Sequence, residues 1–387
     1  MSALLYPGLT EEYLAAHGAG RTAREIAQQP EAWRQTQALL STQRARIDAF
    51  LAPLLAIDNL RIILTGAGTS AYIGQCLAPT LLRTLGKRVE AIATTDLVSG
   101  PRDYLQPEVP TLMVSFARSG ASPESLAAIE LADQCLKRCQ HLIITCNPEG
   151  ALYRRSLENS TRLALLLPAI THDLGFAMTA SFSSMVYAAL AIFHGIERYS
   201  GRVEMMAGAA SVFIERHSRT LQALAERDFE RVVFLGSRGF AGLAAEAALK
   251  LLELTDGAVV SVANTPLGFR HGPKTIVNRA TLVVVFISND PLARKYEIDL
   301  LQELHTDAGA GGLLAIATHA PAAAQPFEWL LVPELSMADD ADLVLPFVIP
   351  AQMYALHRSL RLGNTPDTPC ASGRVSRIVK GVAIYPL

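Results

Sequence analysis

The chain is poor in charge and carries no metal or redox motif, and each shortage narrows its chemistry. Only 18% of its residues are Asp, Glu, Lys or Arg, and the net charge is −2. With no basic block and no basic stripe interleaved with aromatics, nothing points to nucleic acid. The longest apolar runs, near Met185–Phe193 and Leu282–Ile287, fall far short of the ~20 residues a membrane span needs. The five cysteines (Cys76, Cys135, Cys139, Cys146 and Cys370) contain no C-x-x-C pair. Cys135 and Cys139, four apart on an expected helix, read as a packed face rather than a ligand pair. An odd cysteine count, and an opening Met1–Arg21 without a basic-then-apolar leader, fit a reducing cytoplasm. H-x-H and H-E-x-x-H are both missing, and His172-Asp173 reads as a neighbour pair in a loop. No metal and no cofactor are therefore expected.

What the chain does have is length, apolar content and an internal echo. Its 387 residues exceed one ordinary core, and half of them are hydrophobic, so two folded domains are expected. Arg61-Ile62-Ile63-Leu64-Thr65-Gly66 returns 170 residues later as Arg231-Val232-Val233-Phe234-Leu235-Gly236. Thr111-Leu112-Met113-Val114-Ser115-Phe116 returns at the same offset as Thr281-Leu282-Val283-Val284-Val285-Phe286. Apolar runs that break into small-residue loops and then amphipathic stretches read as buried parallel strands feeding helices. The predicted fold is α/β: two tandem doubly wound five-stranded parallel sheets behind an N-terminal helical arm. One structure written twice, with unlike loops, suggests a site assembled from both halves.

The boundaries follow from this pattern: a helical arm over 1–57, a first domain over 58–200 and a second over 201–387. In the arm, Thr22-Ala23-Arg24-Glu25 matches a capping box, and Pro30 suits the first turn of a helix striped by Trp33, Leu40, Ile47, Leu51 and Leu54. Strands are expected at Arg61–Thr65, Val89–Ala93, Thr111–Phe116, His141–Thr145 and Leu163–Leu167. The second set is Arg231–Leu235, Val259–Val262, Leu282–Ile287, Gly312–Ala317 and Leu330–Val332. A helical Tyr187–Arg227 links the halves. Ligands of such sheets sit at the carboxyl ends of the strands, which singles out the loops after the first and third strand of each copy.

In the first copy these loops are Gly66-Ala67-Gly68-Thr69-Ser70 and Ala117-Arg118-Ser119-Gly120-Ala121-Ser122-Pro123. Glycines let backbone approach a ligand, and hydroxyls at helix amino ends favour an anion. Each loop alone is equally well ordinary turn and cap chemistry; two of them at one crevice make a cradle for a phosphate monoester. No Lys-Ser/Thr follows, which excludes a Walker-type loop. Gly66-x-Gly68-x-x-Ala71 also matches the loose dinucleotide fingerprint. However, Glu90 and Asp96 lie on either side of the place where a ribose-binding acid belongs, so a dinucleotide ranks second.

In the second copy, Glu246, Lys250 and Glu253 share one helical face, which by itself reads as a solvated salt-bridge ladder. Pro266-Leu267-Gly268-Phe269-Arg270-His271-Gly272-Pro273-Lys274 sets a histidine between glycines, with basic residues on both sides. A lone loop histidine is more often merely exposed; near a strand end it becomes a candidate proton carrier.

Taken together, Gly-x-Gly-Thr-Ser, Ser-Gly-x-Ser, Ala-Leu-Lys-x-x-Glu and Arg-His-Gly-Pro resemble the sugar isomerase (SIS) domain, in tandem as in the isomerase half of glucosamine-6-phosphate synthase. Ser115–Gly120, Phe176-Ala177-Met178-Thr179 and Pro266–Lys274 resemble a bacterial branch in particular, the galactosamine-6-phosphate deaminases once described as tagatose-6-phosphate ketose/aldose isomerases. The resemblance places Gly68, Thr69, Ser70, Ser119 and Ser122 at the sugar phosphate, with Arg118 in place of an amide side chain. It places Thr179 and Ser181 where another substrate-contacting hydroxyl belongs. Glu253 falls on the base for the proton shift, His271 on the ring-opening histidine and Lys250 on the accompanying lysine. The synthase's C-terminal lysine is replaced, with Arg374, Arg377 and Lys380 as local substitutes, and the Glu253–His271 segment is slightly longer.

The implied substrate is a 2-amino-2-deoxyhexose 6-phosphate, galactosamine 6-phosphate first, opened and deaminated to tagatose 6-phosphate and ammonia. With no glutaminase domain and no N-terminal cysteine, ammonia release is favoured over its installation. The rivals are a plain aldose–ketose isomerase and a non-catalytic sugar-phosphate sensor. The family resemblance also implies a homodimer, or a higher homo-oligomer, in which His271 is the residue lent to the neighbour's site.

Overall fold

The computed structural model describes residues 6–157, 159–320, 325–377, 379 and 381–387. Ten strands form two five-stranded sheets whose pairings are all parallel. The first holds β1 (Arg61–Thr65), β2 (Arg88–Ala91), β3 (Thr111–Ala117), β4 (Cys139–Thr145) and β5 (Arg162–Leu166) in the order β2-β1-β3-β4-β5. The second holds β6 (Arg231–Gly236), β7 (Val260–Asn264), β8 (Thr281–Phe286), β9 (Gly312–Ala317) and β10 (Glu328–Leu331) in the order β10-β9-β8-β6-β7. Read from the chain's first strand in each sheet, the two orders are the same. So is the register: Arg61 faces Thr111 in one and Arg231 faces Thr281 in the other. The 170-residue echo is thus a duplicated doubly wound sheet.

Two compact units contain these sheets. One comprises Glu31–Asp173, Ala180–Val203 and Gly373–Leu387; the other comprises the described residues up to Pro30, Leu174–Thr179 and those of Glu204–Ser372. Central strands β1, β3, β8 and β9 are buried along their whole length, as expected for strands covered on both faces. Ile63, Met113, Ile143 and Ala164 anchor the core beneath the first sheet, and Val233, Val283, Val285 and Ala315 that beneath the second. Edge strands β2, β7 and β10 are partly exposed, and there the expected limits slip by one to two residues.

The helix Gln29–Leu55 buries Trp33, Leu40, Ile47 and Leu51 as its stripe predicts, with Leu54 half-buried. Trp33 Nε1 donates to Ser183 Oγ at 2.9 Å, and Tyr187 Oη to Gln37 Oε1 at 2.6 Å, both on the helix Ala180–His194. The expected helix Tyr187–Arg227 is two, Ala180–His194 and Ile196–Ala225, parted at Gly195 with φ +93°. The capping box is not formed. The helix Gly20–Ala27 starts two residues before Thr22, and its amino end is capped from afar by Asp367, which accepts from Arg21 N, Thr22 N and the Thr22 hydroxyl. Glu25 instead accepts from the backbone of Leu174 and Gly175. Cys135 and Cys139 share no helical face either, since the helix Pro123–Cys135 ends at the first and β4 begins at the second. Among the described residues no helix is long and apolar enough to cross a membrane.

Candidate active site

The first sheet builds its cradle from steric necessity. A Cβ on Gly66 would lie 2.5 Å from Ser70 Cβ, so only glycine lets the helix Thr69–Leu85 start hard against the end of β1. Gly68, at φ +55° and ψ −128°, makes the turn, and no side chain caps the helix there. Thr69 and Ser70 are buried in its first turn. Beside it, β3 leads into Arg118, Ser119 and Gly120 (φ +59°), then Ser122, whose Oγ accepts from Ser125 N as the cap of the helix Pro123–Cys135. Asn147 Nδ2 holds the loop by donating to the Ser119 carbonyl at 2.8 Å. Because β1 and β3 are neighbours, two helix amino ends and three serine hydroxyls collect on one edge of this sheet. That is suited to a phosphate dianion. Glu90, one of the two acids weighed for a dinucleotide, is engaged by Arg61 Nε at 2.5 Å and Arg88 Nε at 2.8 Å.

Two further expected contacts stand on the same edge. Arg118 is almost fully buried, and its Nη2 donates to the Arg377 carbonyl at 2.7 Å. The Arg377 guanidinium in turn donates to the Asp173 carbonyl. Of the three C-terminal substitutes, then, Arg377 reaches the cradle loop. Arg374 is exposed, and Lys380 lies outside the described residues. Ser181 is fully buried with its hydroxyl on Asp173, whose carboxylate also accepts from Ala180 N at 3.1 Å and Ser181 N at 2.9 Å. Asp173 is therefore the cap of the helix Ala180–His194, a role its loop-like sequence setting hid. Thr179 is fully buried in the other unit.

That other unit reuses the turn with different chemistry. A Cβ on Gly236 would meet the Phe240 carbonyl at 2.2 Å, the counterpart of Gly66 against Ser70. Gly68 becomes Arg238, still left-handed at φ +56°, and Ser70 becomes the fully buried Phe240. The cap Ser122 becomes Asp290, and Arg238 sits 3.3 Å from both Asp290 and Asp340. An aromatic side chain and an arginine paired with two carboxylates occupy this edge.

Beneath it Glu297 is fully buried, with Oε2 accepting from Ser288 N at 2.7 Å, and burial pushes its carboxyl up to about 7. A carboxyl whose folded pKa exceeds its unfolded one binds more protons when folded. Unfolding free energy should therefore fall as pH rises from about 4.5 to about 7. Glu297→Gln is expected to flatten that slope by up to about 3 kcal/mol across the window, measured by urea unfolding at several pH values. Parallel curves for parent and variant would refute it.

The ladder of Glu246, Lys250 and Glu253 lies on the helix Phe240–Leu254, and it is not solvated. Glu246 and Lys250 are fully buried, while the Glu253 side chain keeps 24% exposure. Lys250 Nζ lies 2.5 Å from Glu253 Oε2 and 3.6 Å from Glu246 Oε1. A cation sunk in the helix thus fixes one oxygen of a carboxylate that still reaches the surface. His271 is exposed, its backbone N–H on the Gly268 carbonyl at 3.0 Å, next to Gly272 at φ +119°. Its basic neighbours turn away from it: Arg270 Nε pairs with Glu303 at 2.7 Å, and Lys274 with Glu303 and Asp307. Both partners belong to the helix Pro291–Asp307.

Among the described residues one group of possible metal ligands forms, Asp133, Cys139 and His141. Its carboxylate is already divided between His141 Nε2 at 2.7 Å and Arg162 Nη2 at 2.6 Å, which makes it a charge network at the opposite ends of the first sheet's strands.

Comparison with known proteins decides the family. Residues 54–195 match the SIS domain model. The D-galactosamine-6-phosphate deaminase AgaS of Escherichia coli is 45% identical over 370 residues, 94% of this chain and 95% of that protein. The chain belongs to the AgaS family of SIS-domain enzymes. The relative of the same name from Shewanella sp. (strain ANA-3) is 44% identical over 98% of the chain and 95% of its own length. The crystal structure of tagatose-6-phosphate ketose/aldose isomerase from Escherichia coli superimposes with a TM-score of 0.89 at 43% identity, covering 94% of this chain and 96% of that one. The whole α/β architecture, both sheets included, is thus that of the AgaS family.

Proposed function

We propose that the chain converts galactosamine 6-phosphate and water to tagatose 6-phosphate and ammonia. The observation that carries this reading is Glu253, held at the surface by a fully buried lysine in a chain of the AgaS family. The phosphate dianion binds Ser70, Ser119 and Ser122 with backbone amides at Gly68 and Thr69, and Arg118 adds charge. Binding energy gained there, remote from the reacting carbons, orients the sugar. His271 passes a proton from O1 to the ring oxygen and opens the ring. Glu253 then takes the proton from C2 and returns it to C1, while O1 gains a proton and the nitrogen gives one up, which turns the amine-bearing carbon into an imine. Lys250 keeps the carboxylate in place through both transfers. Water adds to the imine carbon, and ammonia leaves as the 2-ketose forms. Thr179, Ser181 and Arg377 shape the surroundings of the sugar, with Arg374 at the periphery.

The reaction is a hydrolytic removal of nitrogen coupled to isomerisation, carried out in the cytoplasm by a homodimer in which His271, exposed in one chain, serves the neighbour. Ammonia release from galactosamine 6-phosphate, assayed beside ketose formation from galactose 6-phosphate, tests the assignment. Ketose from the second substrate without ammonia from the first would make it a simple isomerase. Turnover of neither would leave a sugar-phosphate sensor. The combined change Ser119→Ala and Ser122→Ala is expected to raise KM about tenfold or more, in line with two lost hydrogen bonds to a charged group, with little change in kcat. An unchanged KM would put the phosphate elsewhere.

A further inference from the structure

His172 stands on the first sheet's ligand edge, and the reaction above assigns it no task. It ends the short turn after β5, half-buried, immediately before Asp173. Three strands, β3, β4 and β5, lie side by side, so the segments after them share one edge. Arg118 leaves β3 beside Ser119 and reaches the Arg377 carbonyl, and Arg377 reaches the carbonyl of Asp173. Cys146, just after β4, feels the charges of both Asp173 and Arg118, which places these groups around it; its own thiol is neutral, pushed up to about 12 by burial. Two arginines therefore meet next to the cradle, and one of them binds the backbone of the residue that follows His172. Asp173, next to His172 in sequence, accepts from the amino end of the helix Ala180–His194 and from Ser181.

Burial, then the charges of Arg377 and Arg118, hold His172 below the ordinary histidine range, against the pull of Asp173. In the free protein the ring is neutral near pH 7. A dianion delivered to Ser119 and Arg118 reverses the field acting on that ring. Resting on the phosphate reading above, we propose that His172 is a third cationic group of the phosphate site, taking up a proton as the phosphorylated sugar binds. It would act as a positioning residue, adding charge only when the dianion is present, and would favour dianions over the monoanions that two arginines alone would also attract.

Calorimetric titration of inorganic phosphate, in two buffers of different ionisation enthalpy near pH 7, counts the protons taken up. The phosphate's own second ionisation contributes equally to parent and variant. The parent is expected to take up more protons than His172→Gln. Its Kd should also rise with pH more steeply, with a limit of about tenfold per pH unit for one coupled proton. Equal proton counts and equal slopes would overturn the proposal. Histidine ring proton resonances of the parent give a second reading that needs no variant. One midpoint should move upward when phosphate is added, and none moving would be equally fatal. Phosphate binding that survives Ser119→Ala with Ser122→Ala unweakened would instead condemn the cradle itself, whereas intact, cradle-dependent binding without proton uptake condemns only the role of His172.

Discussion

Glu253→Gln is expected to lower kcat by about 10²–10⁴-fold while the KM for galactosamine 6-phosphate stays nearly constant. The amide is isosteric and can still meet Lys250 Nζ, now 2.5 Å from Oε2, so the helix Phe240–Leu254 should hold its geometry. What it loses is the capacity to accept a proton from C2. A carboxylate that served only as a partner for Lys250 would give a different result, with stability reduced and turnover retained in proportion to folded protein. Steady-state kinetics together with a urea midpoint for the same preparation separate the two. Full activity in a well-folded variant would remove Glu253 from the reaction.

Lys250→Met should be the most destabilising single change at this site, by about 3–5 kcal/mol. Methionine nearly matches the lysine stem in volume, so little cavity results. The cost comes from withdrawing the ammonium from between two carboxylates, one of which, Glu246, has no exposure at all. A buried carboxylate deprived of its cation is far more expensive than a buried pair replaced whole. The double variant Glu246→Gln with Lys250→Met is therefore expected to regain much of the lost stability, though not the activity, since Glu253 is left without its tether. Chemical unfolding of the two variants checks this. A single variant as stable as the parent would mean that the ladder is a packing feature of no electrostatic weight.

The ladder also shows where sequence reasoning ran out. Every third or fourth residue of Glu246–Glu253 is charged, and hydrophobic periodicity would turn that face to water. In the structure Lys250 is buried while Leu252, on the apolar side, is 42% exposed. No local pattern reports that a charged stripe is compensated within itself; only the resemblance to a known family pointed to these residues. The strands were legible for the opposite reason. β1, β3, β8 and β9 are runs buried on both faces, so composition alone marks them, whereas edge strands β2 and β7 mix exposed positions and blur their own limits. Thr22 and Glu25 carry the right residues for a local cap, yet bond Asp367 and the Leu174-Gly175 backbone. A competing long-range partner is invisible to a four-residue motif. Asp173 was passed over because its cap serves a helix beginning seven residues later.

The paired glycines Gly66 and Gly236 carry a consequence for how such a protein can change. Each excludes any side chain by pressing on the residue four positions ahead, whatever that residue is: a serine in one half, a phenylalanine in the other. The hinge of the loop and its cargo are thus separate inheritances. A duplicated copy can trade a hydroxyl for a greasy stopper, and a backbone glycine turn for an arginine one, without disturbing the pivot on which both depend.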